Sequence, residues 1–260
     1  MNTSFFRKIK KFLTLCFYKQ RTMLMETLFG QLFFNTTSST KVLKRMLSTE
    51  DIHYEPLTGQ RKRKEVFDYL INSFNFPQII ETGTHMGDTT KYFSEFGKKV
   101  FSAEINELYY AYAKKKLHCK ENINLYNVDS ISLLSQPSDF KINTNELTFI
   151  YLDAHGQSYL PLLDELCLIQ KLFKSYFIVI DDFCVENRPE FIYDRYGMFV
   201  QKRLNYNYIK KHVQNLTKFF PSYAPEKEGS VARGYICLTN LDSISDQIKS
   251  NYSDLKLFNK

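Results

Sequence analysis

The hydrophobic positions change their period near residue 60. Before it, Phe5, Phe6, Ile9, Phe12, Leu13, Cys16 and Phe17 fall at helical spacing with charges between them, and Met23, Leu24, Leu28, Phe29, Leu32 and Phe33 continue the apolar content. The polar stretch 35–40 reads as a break. After it, helical and strand-like clusters alternate. Val66, Phe67, Leu70, Ile71 and Phe74 predict a helix, and a short strand over 78–81 follows Pro77. A helix over 88–96, a strand over 100–104, a helix over 107–118 and a strand over 123–128 come next. The apolar run 147–153 predicts a strand, 160–173 a helix, and 176–181, rich in Ile and Val, another strand. Short apolar strands separated by helices imply a parallel sheet covered on both faces.

Beyond residue 190 the pattern weakens. It predicts a long helix over 198–216, then strands over 218–223 and 234–239 that pair antiparallel at the sheet edge, joined by a polar loop over 224–230. The expected fold is an α/β domain with a doubly wound, mostly parallel, seven-stranded sheet. It occupies residues 51–240, between a basic amphipathic helical extension (1–50) and a polar C-terminal tail or short helix (241–260).

Composition refines this picture. With 260 residues and 43% hydrophobic content, the chain can bury one full-sized core and still carry an appendage. The net charge of +7 is concentrated at one end: Arg7, Lys8, Lys10, Lys11, Lys19 and Arg21 precede the first acid, Glu26, which leaves the body near neutral. A near-neutral body lacks the basic stripe of a nucleic-acid footprint, so no nucleic-acid partner is expected. The five cysteines are scattered and never form a CxxC pair, which fits a reducing, cytoplasmic compartment. Cys167 and Cys237 read as buried small hydrophobes. No run approaches the ~20 apolar residues of a membrane span, and no small-residue cleavage site follows Phe12–Phe17. Two readings of residues 5–17 stay open: packing on the chain's own domain, or peripheral contact with an anionic membrane surface.

In an open α/β sheet, ligands bind beyond the carboxyl ends of the strands. The residues at those ends are repeatedly acidic: Glu81, Glu104, Asp129, Asp153, and the pair Asp181-Asp182. Five successive strands ending in carboxylates on one rim exceed what chain exit to water requires. The first strand runs into Glu81-Thr82-Gly83-Thr84-His85-Met86-Gly87-Asp88-Thr89-Thr90, in a chain with only 9 glycines. Gly83 permits a tight strand-to-helix turn, and Gly87 opens the next helix, with Asp88, Thr89 or Thr90 available to cap it. Counted from Gly83, the GxGxxG offsets of a dinucleotide fingerprint hold His85 and Asp88, so that pattern fails.

The loop from Glu81 to Thr90 resembles motif I of class I S-adenosylmethionine (SAM)-dependent methyltransferases, an acid followed by GxGxG, with His85 in place of the middle glycine. The resemblance spans roughly residues 60–240 by motif order and implies a Rossmann-like methyltransferase fold with SAM as cofactor. It implies cofactor contacts from Glu81, Gly83, Thr84, Gly87 and Thr89, ribose binding by Glu104, and an adenine border at Asp129 and Ser130. The segments Phe149–His155 and Ile178–Phe183 resemble the metal-binding strand ends of metal-dependent O-methyltransferases. Carried over, Asp153, Asp181 and Asp182 hold a divalent cation, and an all-oxygen set suits Mg²⁺, Mn²⁺ or Ca²⁺. His155, two residues after Asp153, is the candidate general base for an acceptor hydroxyl, with Asp153 beside it in the catalytic set.

The expected partner is a small-molecule acceptor, such as a sugar or a natural-product-like compound. Two alternatives stay open: a metal-independent methyltransferase with His155 as base, and a non-catalytic binding protein on the same fold. Asp164 and Glu165 read as a solvated helix face, and Arg233, which could neutralise an acidic substrate, as an ordinary surface residue.

Overall fold

The computed structural model describes residues 55–155, 160–196 and 202–258, of which residue 53 onward belongs to one compact unit. The amphipathic extension and the membrane contact expected of residues 5–17 lie outside the described residues. Among these, no helix is long and apolar enough to cross a membrane.

Five parallel strands form the centre: β1 (Gln78–Thr82), β2 (Lys99–Ala103), β3 (Ile123–Tyr126), β4 (Thr148–Leu152) and β5 (Tyr176–Ile180). β1, β4 and β5 are buried along their whole length, which is why they read as unbroken apolar runs rather than alternating ones. A two-residue pair, β6 (Arg195–Tyr196) and β7 (Lys202–Arg203), stands apart. β8 (Thr217–Pro221), β9 (Ile236–Thr239) and β10 (Leu255–Leu257) complete the large sheet, in the order β10-β8-β9-β5-β4-β1-β2-β3. β9 runs antiparallel to both β5 and β8, as the sequence predicts for an edge pair.

The helices are α1 (Arg61–Ser73), α2 (Asp88–Ser94), α3 (Glu107–Lys116), α4 (Ser130–Ser135), α5 (Leu162–Leu172), α6 (Tyr206–Ile209) and α7 (Asp242–Asn251). Phe67 of α1 and Phe93 of α2 pack edge-on against Phe149 and Tyr151 of β4, so these two helices share one face of the sheet. Side chains alternate along a strand, so Ile150 and Leu152 serve the opposite face.

Three expectations are corrected. The sheet has eight strands, not seven, because β10 adds an antiparallel edge to β8. Residues 241–258 accordingly carry a strand besides the short helix that was one of the two expectations; Ile244 and Ile248, four apart, bury one face of α7 amid polar neighbours. The long helix over 198–216 is reduced, among the described residues, to α6, four residues begun by the Asn205 side chain accepting from the Tyr208 amide. The sequence reading also passed over α4, a six-residue helix too short to show a period.

From β1 the chain builds outward through β2 and β3, then returns to lay β4 and β5 on the other side of β1, so the order reverses between β1 and β4. A crevice at such a switch point is where a doubly wound sheet takes its ligand, and the acidic strand ends flank it.

Candidate active site

Glu81, the last residue but one of β1, is buried. Its Oε2 accepts from the Thr90 hydroxyl of α2 and the Ser102 hydroxyl of β2, and Ser102 in turn meets the Thr84 hydroxyl at 2.6 Å. The carboxyl thus ties the glycine loop, α2 and β2 together. Its Oε1 is buried without a partner, and burial pushes the group up to about 7, against the two hydroxyls that favour its charge.

Gly83 has φ +90, and a Cβ there would stand 2.6 Å from the Asp153 carbonyl oxygen. The close approach that requires glycine is therefore made by the β4 loop across the switch point. Gly87 caps α2 at φ +79 and packs against Leu117 and Ala113. The Thr89 hydroxyl accepts the Leu57 amide, so it braces the segment before α1.

Glu104 closes β2, and each of its oxygens accepts one backbone N–H: Oε2 from His85 at 2.7 Å and Oε1 from Asn106 at 2.8 Å. Each keeps a free lone pair. His85 holds a left-handed backbone, φ +50, with its ring 4.3 Å from that of Tyr109. Ile105, next to Glu104, is 70% exposed, a large aliphatic surface beside a buried carboxylate. Asp129 caps α4 by accepting the Ser132 amide at 2.7 Å, and Ser130 is buried beneath it.

At the ends of β4 and β5, the ligand atoms of Asp153, His155 and Asp182 lie within 4.8 Å of one another. His155 Nε2 is 3.5 Å from Asp153 Oδ1. Burial lowers the His155 pKa, and Arg233 adds to the effect, while Asp181 and Asp194 oppose it. Burial raises Asp153 well above the usual carboxylate range, reinforced by repulsion from Asp181 and Asp182. Asp182, at φ +49, is pushed up to about 7 by burial and by Asp181, with Arg233 opposing.

Asp181 stands outside this trio, contrary to the expected ligand set of Asp153, Asp181 and Asp182. Its Oδ1 accepts from the Arg63 guanidinium and, at 2.7 Å, from the Asp182 amide; its Oδ2 accepts from the Tyr151 hydroxyl. Burial alone would raise its pKa, but Arg63, Tyr151 and the Asp182 amide bring it below the normal value. Asp182 Oδ2 is itself ion-paired with Arg233, which also reaches Asp194 at 3.3 Å. The pair expected to hold a cation is held by two arginines, and these residues do not fit a divalent ion bound through both aspartates.

Sequence reasoning missed Arg63 and Tyr151, and Arg233, read as an ordinary surface residue, is ion-paired with Asp182. Arg63 precedes Val66, Phe67, Leu70 and Ile71 by three, four, seven and eight residues, so it lies on the apolar stripe of α1, and a charge there is the signal that was available. Glu165 repeats the case on α5, in line with Leu162 and Ile169. It is buried, not solvated, and burial pushes it up to about 7 against the hydroxyls of Ser130 and Thr82. Asp164 is exposed as expected, Cys237 is buried, and Cys167 is exposed, not buried.

No family model matches this chain, and no curated protein matches it in sequence. Solved structures match its fold. An O-methyltransferase from Bacillus cereus in complex with SAH superposes with a TM-score of 0.51 at 14% identity, covering 83% of this chain and 96% of that one. A protein from Klebsiella pneumoniae described as an O-methyltransferase gives 0.50 at 12% identity, covering 76% of this chain and 89% of that one. The chain shares the Rossmann-like fold of these two structures.

Proposed function

We propose that this chain binds SAM across the carboxyl ends of β1, β2 and β3 and transfers its methyl group to a hydroxyl of a small acceptor at the ends of β4 and β5. The observation that carries the reading is Glu104. It is buried, fixed by two backbone amides, and has one lone pair left on each oxygen, which suits the two hydroxyls of a ribose. Ile105 beside it offers an apolar shelf for a flat base, and Asn127 Nδ2 steadies the turn by donating to the Glu104 carbonyl at 2.7 Å.

SAM supplies a methyl group on a positively charged sulfur. Alignment of the acceptor oxygen with the methyl carbon supplies much of the rate. His155, kept neutral by burial, takes the acceptor hydroxyl proton as the new C–O bond forms and the C–S bond breaks. Asp153 Oδ1, 3.5 Å from Nε2, flanks the ring and positions it. No step needs a metal, in keeping with the arginines on Asp181 and Asp182.

Calorimetric titration of SAM into the purified chain tests the reading. The wild type is expected to bind in the micromolar range and Glu104→Ala at least ~30-fold more weakly, because charge-assisted hydrogen bonds are lost. A folded wild type that binds neither SAM nor its demethylated product sinks the proposal and leaves a binding protein on this fold. His155→Gln is expected to keep SAM affinity while turnover falls ~10²-fold or more.

A further inference from the structure

Three carboxylates crowd the ends of β4 and β5, and their balancing charge comes from within the chain. Arg63 is fully buried at the start of α1, ion-paired with Asp181. Its Nη2 donates to the carbonyls of Arg233 (2.6 Å) and Gly234 (3.4 Å), and its Cζ lies 4.9 Å from the centre of the Tyr235 ring. The Arg233 amide donates to Gln60 Oε1 at 2.7 Å, so the residues that open α1 also set the backbone that carries the second guanidinium. Arg233 then closes on Asp182 and Asp194.

We infer that Arg63 and Arg233 are fixed internal cations in the place where the resemblance implies a divalent metal, and that this site excludes such a metal. The remaining donors, Asp153, His155 and the free oxygen of Asp182, would seat a dication directly beside a guanidinium bound to one of its own ligands. Like charges at that separation repel strongly in a partly desolvated site. For an ion to enter, Arg233 must swing out. Arg233 is the replaceable half of the device, because its side chain is 33% exposed whereas that of Arg63 is enclosed.

The inference rests on contacts within the chain and does not depend on methyl transfer. Mn²⁺ is titrated into the full chain, and the free ion is followed by electron paramagnetic resonance. The wild type is expected to show no saturable site below ~1 mM. Arg233→Met is expected to gain one site at least ~10-fold tighter, Arg233→Lys to behave as the wild type, and Arg233→Met combined with Asp182→Asn to lose the gain. One equivalent of Mn²⁺ bound by the wild type and lost in Asp153→Asn overturns the inference. So does a folded Arg233→Met, checked by circular dichroism, that gains nothing. SAM affinity of the wild type, measured with and without EDTA in the same preparation, reports separately on the cofactor reading.

Discussion

Arg63 is the largest fully buried side chain among the described residues, and Asp181 supplies the opposite charge that faces it there. Arg63→Met leaves the aspartate unpaired in the interior, which costs about 3–5 kcal/mol. Chemical denaturation at pH 7 should show that loss, and adding Asp181→Asn should restore most of it. The Asp181 pKa is depressed in the folded state, so the pair's contribution is present above the unfolded value near 4 and fades as pH falls through the folded one. Glu81 and Glu165 work in the opposite direction. Both are raised from 4.5 to about 7 by burial. Between these values the folded state holds a proton that the unfolded chain has lost, so stability falls as pH rises from about 4.5 to 7, by up to about 3 kcal/mol for each group. A stability profile measured from pH 5 to 8 should slope downward in the wild type and flatten in Glu81→Gln and Glu165→Gln. A slope unchanged in both variants would assign it to other groups.

At the scale of elements, the parallel core was legible because β1, β4 and β5 are buried on both faces and the helices between them carry one apolar stripe. The acids at the ends of β1, β4 and β5 were legible for the same reason, since Glu81, Asp153 and Asp181 follow directly on apolar runs. What covers the carboxylates was not. Arg63 lies 118 residues from Asp181 and Arg233 lies 51 from Asp182, and no local spacing records such pairing. Likewise Glu228, buried in the loop before β9, accepts the Lys62 and Arg63 amides that open α1, across 166 and 165 residues. The glycines distinguish a loop fixed by its surroundings from one fixed only by its own backbone. Gly83→Ala would place a Cβ 2.6 Å from the Asp153 carbonyl as well as straining a positive φ, whereas Gly97, also at positive φ (+67), has nothing within 4 Å. Thermal denaturation should therefore show Gly97→Ala costing about 1 kcal/mol, from backbone strain alone, and Gly83→Ala clearly more, from strain plus overpacking. Equal losses would mean that the β4 loop yields without cost.

At the scale of the compact unit from residue 53 onward, the segment read as a polar tail is the test of how far sequence pattern reaches. Leu255–Leu257 is too short and too polar in its flanks to announce a strand, yet it pairs with Phe219–Pro221 and covers what would be an open edge of the main sheet. Its neighbours fasten it. Tyr252 stacks on Tyr69 of α1 with ring centres 3.9 Å apart, Asp254 meets Lys62 at 2.8 Å, and Phe258 packs edge-on against Phe220 and Tyr206. An exposed strand edge is a template for pairing with another chain. A chain ending at Asn251 should thus lose the aromatic stack, the ion pair and the edge cover together, so it should melt several degrees lower and aggregate on warming. Static light scattering along a thermal ramp, at two protein concentrations, separates the outcomes. A concentration-dependent rise that begins earlier than in the full chain marks residues 252–258 as part of the sheet. A truncated chain that melts and scatters like the full one would return them to the status of a tail. Glu104, Asp153 and His155 lie outside these contacts. The truncated chain below its melting point should therefore bind SAM as the full chain does, which separates edge protection from the chemistry of the crevice.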